Sequence, residues 1–238
     1  MMPFYGGYGM YRFDPTYLLV VAGALLSMWA SARVNGTFQK FSQVRSRKGM
    51  TGADVARRLL QSQGIYDVSV REVPGQLTDH YDPRTRTVNL SQVVYGQFSV
   101  AAIGVAAHEC GHAIQDNVGY VPLRLRAAFV PVANWGSKLS WPLILIGLLA
   151  GWTPFIQVGI WMFVLALLFQ IITLPVEFNA SSRAVSLLEQ TGILQGQEIG
   201  QTRKVLGAAA LTYVASAMAS VLQLLRLVIL FGGRRRDD

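Results

Sequence analysis

Charge is scarce in this chain: Asp, Glu, Lys and Arg together supply 14% of its 238 residues, where a typical soluble domain carries roughly a quarter. With 52% hydrophobic residues beside so little charge, the composition argues against an ordinary soluble fold. Cysteine is scarcer still. Cys110 stands alone, so no disulfide can form within the chain. Acidic residues are outnumbered, 13 Asp and Glu against 21 Lys and Arg, for a net charge of +8. Such an excess can serve nucleic acid, but beside long apolar runs anionic membrane lipids are the better partner, and no nucleic acid is expected. Internal repeats and low-complexity tracts are missing as well.

Long apolar runs are what the chain has instead. Residues 15–32 contain no charge, and eighteen helical residues cover about 27 Å, close to the hydrocarbon thickness of a bilayer. Ala30-Ser31-Ala32 resembles a signal-peptide cleavage site, but only Arg12, offset by Asp14, precedes the run. Without a positive start the segment reads as an uncleaved anchor. Between Lys138 and Glu177 no residue is charged; the interval suits two antiparallel spans turned at Gly151-Trp152-Thr153-Pro154. A fourth candidate runs from Val205 to Leu225 and on past Arg226 to Phe231. Its Ala, Ser and Thr suit close helix packing in lipid, while Gln223 and Arg226 leave a helix packed on the enzyme, or one lying in the interface, as the alternatives.

Basic residues near these runs set an orientation. Arg33, Lys40, Arg45, Arg47, Lys48, Arg124, Arg126, Lys138, Arg183, Arg203 and Lys204 fall on one side, against Arg12, Arg234, Arg235 and Arg236 on the other. Eleven against four puts the middle of the chain in the cytoplasm and the N-terminus outside the cell membrane. The basic C-terminus then sits on the less favoured side.

The polar region begins with a basic stretch, 35–50, in which Phe38, Phe41 and Val44 have helical spacing; it reads as a helix on the anionic leaflet or an exposed linker helix. Thr51 with Asp54 three residues on is a helix start, and Gly64 a helix end. Val68 and Val70 alternate as a short strand, Asp82-Pro83-Arg84 is a turn, and residues 85–90 alternate as a second strand. Ser91 is placed to cap a following helix.

The chemistry lies in residues 99–115, a small-residue apolar helix into which His108, Glu109 and His112 are set. Histidines four apart share a helical face and can grip one zinc ion. Glu109, beside the first of them, can act as general base toward a zinc-activated water and then pass the proton to the leaving amine. Two of the chain's three histidines fall in this H-E-x-x-H pattern, and an apolar helix otherwise gains nothing by burying a carboxylate. A catalytic zinc needs a third protein ligand. The long form H-E-x-x-H-x-x-G-x-x-H is excluded, because Gln115 and Val118 stand where its glycine and histidine belong. His80, Asp79, Asp116, Glu177, Glu189 and Glu198 remain, and Glu177 is preferred because the apolar hairpin returns it to the side of the motif helix. Asp116 can orient His112 or cap the helix end, and Cys110 reads as a packed small residue.

These residues resemble the YugP-like membrane zinc metallopeptidases. The likeness runs through Met50-Thr51-Gly52-Ala53, residues 77–83, residues 106–115 and Leu174-Pro175-Val176-Glu177-Phe178-Asn179-Ala180-Ser181. More distantly the layout is similar to HtpX-type and CAAX prenyl proteases, in which a membrane hairpin separates the H-E-x-x-H helix from a glutamate ligand in E-x-x-A-D. The resemblance implies an integral membrane α+β fold with a gluzincin-type core and about four transmembrane helices, and Glu177 as third ligand. It departs at Ser181, where the relatives carry an aspartate that orients a metal histidine; either Asp116 or Asn179 takes that role, or the groups behind the histidines are arranged differently. It also implies that residues 85–90 form an edge strand beside the cleft, with His80 near the substrate.

The organisation expected is an anchor at 1–33, a catalytic region at 34–138, a hairpin at 139–176, a third-ligand region at 177–204 and a last span with basic tail at 205–238. The function expected is zinc-dependent hydrolysis of peptides or membrane proteins. A scaffold with a structural zinc site is the rival that an intact Glu109 disfavours. A small transporter is disfavoured by a hairpin offering only Gln157, Gln170 and a few hydroxyls as polar groups.

Overall fold

The computed structural model describes residues 14–232; Arg12, Arg234, Arg235, Arg236 and the rest of the basic tail lie outside them. The chain runs α1 (Tyr17–Ser42), α2 (Gly52–Ser62), β1 (Ser69–Val73), β2 (His80–Asp82), β3 (Thr87–Ser91), α3 (Gln92–Tyr95), α4 (Val100–Asn117), α5 (Val121–Leu149), α6 (Thr153–Gln190) and α7 (Gln197–Phe231). Four long helices carry the apolar runs, and a small α+β unit holds the polar region.

Among the described residues three helices, α1, α6 and α7, are long and apolar enough to cross a membrane. α5 carries Arg124, Arg126 and Lys138 as well as Pro131 and Pro142, which interrupt its apolar surface. It nevertheless forms the expected antiparallel hairpin with α6. The turn is made by Gly151 in the left-handed region (φ 65°), with Pro154 in the first helical turn, where a missing N–H costs nothing. Glycines let the two arms approach: a Cβ on Gly136 would stand 2.6 Å from the Met162 carbonyl, and one on Gly159 2.8 Å from that of Ser140.

α7 packs along both α1 and α6 and does not lie apart as an interfacial helix. Gly23 of α1 meets Ala219, at 3.1 Å from an added Cβ, and the Ser220 hydroxyl donates to Gln170 Oε1 of α6. Arg226, which weakened this segment as a span, is neutralised. Its guanidinium stands 3.5 Å from the Asp14 carboxylate, bonds the Thr16 hydroxyl and covers the Tyr17 ring.

The basic stretch after residue 34 is not a separate surface helix. Nothing in its sequence breaks α1, which continues to Ser42, and Phe41 is buried with Ala101 and Val205. The chain then turns, and Glu198 at the start of α7 accepts the Arg47 N–H. Thr51 and Asp54 form a capping box at the head of α2, and Gly64 (φ 70°) follows its end.

The sheet corrects one expectation. Its order is β1-β3-β2, with β1 parallel and β2 antiparallel to β3. The strand Thr87–Ser91 is therefore central, and the edges of the sheet are β1 and the short strand His80–Asp82. The physical reason is that β3 is hydrogen-bonded on both sides, to β1 and to β2, and its residues are accordingly covered, Val88, Leu90 and Ser91 fully and Thr87 nearly so. Ser91 does not cap α3 by its side chain; its N–H and its hydroxyl both donate to the half-buried Asp79 carboxylate. Ser99 caps α4 by accepting the Ala102 N–H.

Candidate metal centre

α4 is the buried axis of the polar unit, and each residue of its motif turn has a different neighbour. Cys110 points away from the histidines; it is fully buried and its thiol donates to the Ala56 carbonyl of α2. Burial holds that thiol well above the usual cysteine range, which suits a packing role. Gly111 faces α6, where an added Cβ would stand 2.6 Å from the Ala180 carbonyl oxygen. The two backbones can touch there only because the side chain is hydrogen. That contact brings Glu177 and Ser181, one turn apart on α6, against His108 and His112.

Glu177 Oε2 lies 3.3 Å from His108 Nε2 and 3.6 Å from His112 Nε2. The three ligand atoms fall within 4.8 Å of one another, the one such group among the described residues. Oε2 is buried and lacks a hydrogen-bond partner, a costly arrangement for a carboxylate oxygen with nothing to bind. Donors about 2.1 Å from a tetrahedral metal stand roughly 3.4 Å apart, so the spacing suits a zinc ion between these atoms. The chemistry of the set, two imidazoles and a carboxylate, matches a catalytic zinc site with one position open.

Hydrogen bonds behind the histidines fix which ring nitrogen is free. Gln115 is fully buried, and its Nε2 donates to the Val176 carbonyl and to Asn179 Oδ1. Its Oε1 must then face His112 Nδ1, at 3.0 Å, and accept a proton from it. His112 Nε2 is left with a lone pair toward Glu177. The Ser181 hydroxyl stands 3.1 Å from His108 Nδ1 and can accept in the same way. Ser181 thus occupies the orienting place that an aspartate takes in E-x-x-A-D, and Asn179 acts one step further out, through Gln115. Asp116 does not bond His112. It accepts from the Tyr81 hydroxyl and lies 3.9 Å from Arg86, on the cleft's strand wall.

Glu109 is buried, 7% exposed, and lines the cleft beside the three ligands. Asp79 is close to it: burial first, and the Glu109 charge as well, raise the Asp79 carboxyl above the ordinary aspartate value. His80 also lines the cleft but stands outside the ligand group. Its ring is held by the Thr78 carbonyl at Nδ1 and Asn89 at Nε2.

Three residues that sequence reasoning did not single out complete the site. In the sequence Gln115 serves only to end the motif helix and to exclude the long H-E-x-x-H form. Arg126 of α5 places Nη1 3.5 Å from Glu177 Oε1, and Tyr213 of α7 lines the cleft beside the same carboxylate. Arg126 was legible only as a flanking charge, and Tyr213 as one aromatic in an apolar run.

A family model described as "Putative neutral zinc metallopeptidase" matches residues 16–232. "Putative membrane protease YugP" of Bacillus subtilis (strain 168) is 48% identical over 220 residues, covering 92% of this chain and 98% of that protein. No solved structure matches.

Proposed function

The chain belongs to this family of zinc metallopeptidases, and from that premise we propose that it is a membrane-bound endopeptidase in which His108, His112 and Glu177 hold zinc and Glu109 is the general base. The convergence of two imidazole nitrogens and an otherwise unpartnered buried carboxylate oxygen carries this reading. Zinc, when bound, lowers the pKa of water toward about 7 and polarises a carbonyl.

The chain's own residues do the rest. Glu109 takes a proton from the attacking water and delivers it to the leaving nitrogen, so one carboxylate serves both steps. Gln115 and Ser181 keep the ligand nitrogens unprotonated by holding the opposite ring positions. Arg126 and Tyr213 bring hydrogen-bond donors into the cleft, where charge developing on the scissile carbonyl oxygen can be met. The gluzincin character rests on the third ligand being a glutamate from a later helix.

We place the enzyme in the cell membrane as a multi-pass protein with its cleft toward the cytoplasm, on the eleven-to-four distribution of flanking basic residues. Its substrates are peptides or membrane proteins that reach that face. The test is cleavage of an unfolded casein-type protein by the purified chain. Activity should vanish with a chelator and return with stoichiometric zinc. Cleavage indifferent to the chelator would overturn the reading.

A further inference from the structure

The last turns of α1 carry their cations into a groove away from the metal ligands. Trp29, Arg33, Thr37 and Lys40 recur at helical spacing along α1 and line one wall of a cavity of about 470 Å³. The other wall is α7, at Lys204, Gly207, Ala208 and Leu211. Phe41, buried with Ala101 and Val205, fastens the two helices beside it.

Arg33, Lys40 and Lys204 place three positive charges around this one space, and no Asp or Glu lines it. Among the described residues none of the three forms an ion pair. The Arg33 guanidinium stands 5.6 Å from the centre of the Trp29 ring, and the Lys40 ammonium 5.7 Å from that of Phe41. Those rings attract the cations without neutralising them. Like charges gathered around one cavity repel each other, and an anion among them converts the repulsion into attraction.

Depth in the bilayer points to the kind of anion. The charge-free run 15–32 ends at Arg33, where hydrocarbon gives way to headgroups. Trp29 stands one turn deeper, as interfacial tryptophans do. Leu18 and Leu25 share a helical stripe with Trp29, Arg33 and Lys40, and both leucines are 59% exposed. An apolar surface therefore leads along α1 up to the cations.

We propose that the groove between α1 and α7 binds an anionic glycerophospholipid. Its phosphodiester lies among Arg33, Lys40 and Lys204, and its acyl chains lie along Leu25 and Leu18. An arginine fork suits two phosphate oxygens, the lysines add point charges, and the Thr37 hydroxyl is a further donor. A soluble phosphate ester offers the same charge but leaves the apolar stripe uncovered.

The experiment uses the full chain in nanodiscs of phosphatidylcholine with a minor share of photoreactive phosphatidylglycerol. Cross-links should map to residues 29–40 and 204–211. Replacing Arg33, Lys40 and Lys204 together by Gln should lower the cross-linking yield by at least about tenfold. All three side chains are exposed, and each single Gln variant should lower the yield in part, so the outcome does not depend on the triple variant folding. A control with Lys48→Gln, Arg58→Gln and Lys138→Gln removes the same charge outside the groove and should keep the wild-type yield, as should Lys204→Arg.

Equal losses in the two triple variants, or cross-links confined to other segments, would show diffuse attraction to the bilayer and overturn the site. Displacement of the lipid by glycerol 1-phosphate, which has a phosphate ester and no acyl chain, would overturn the lipid assignment and make a soluble phosphate ester the occupant.

Discussion

Gln115 accepts the Nδ1 proton of His112 across 3.0 Å, because its amide nitrogen is already committed to Val176 and Asn179. One buried amide therefore ties a ligand on α4 to the backbone of the helix that carries Glu177. Gln115→Met keeps the volume and removes the bond. Outer partners of metal histidines are worth about 10–100-fold in affinity, so zinc Kd measured against a competing chelator should rise by that factor. An unchanged Kd would show that the tautomer is set by something else.

Ser181 gives a matched test on the other histidine. Ser181→Ala should weaken zinc binding by about tenfold, and Ser181→Asp should restore it, since a carboxylate accepts the His108 Nδ1 proton more strongly than a hydroxyl does. If Asp weakens binding as much as Ala, the hydroxyl is serving another purpose.

Gly111 should tolerate no side chain. A methyl group would stand 2.6 Å from the Ala180 carbonyl, and overpacking a close contact costs typically about 1–3 kcal/mol. Gly111→Ala should lower the melting temperature in detergent and weaken zinc binding together, because the displaced helix carries Glu177. Gly36→Ala, at a helical glycine in open space, is the control expected to leave zinc binding unchanged and the melting temperature no lower.

Topology can be read by labelling. Cysteines introduced singly at Arg45 and Arg183 should both be protected from an impermeant reagent in intact cells and both react after permeabilisation. The native Cys110 is buried and should contribute no signal. Labelling of both sites in intact cells would reverse the orientation.

Much of the centre was legible because its signals are local or follow from chain direction. His108 and His112 announce themselves by helical spacing, and Glu177 by the return of an uncharged hairpin. The orienting residues were not legible. Gln115 and Ser181 act through contacts between α4 and α6, whose closeness depends on a glycine that looks like any other small residue in an apolar helix. Strand order was hidden for a similar reason: an alternating pattern at residues 85–90 says that a strand exists, not which neighbours flank it. The length of α1 was missed because a change from apolar to basic composition marks the edge of a bilayer without ending a helix. Arg226 looked like a defect in a span because its partner, Asp14, lies 212 positions away in sequence.

The most direct measurement compares zinc per chain and initial cleavage rate for wild type, Glu109→Gln and His112→Ala in one detergent. Glu109→Gln should keep about one zinc and lose roughly 10²–10⁴-fold in kcat, the usual worth of general acid–base catalysis. His112→Ala should lose zinc and activity together, because it removes a ligand of the group formed with His108 and Glu177. Full cleavage by Glu109→Gln with zinc in place would contradict the account, as would a wild type that binds zinc but cuts no peptide from a broad panel, the behaviour of a scaffold.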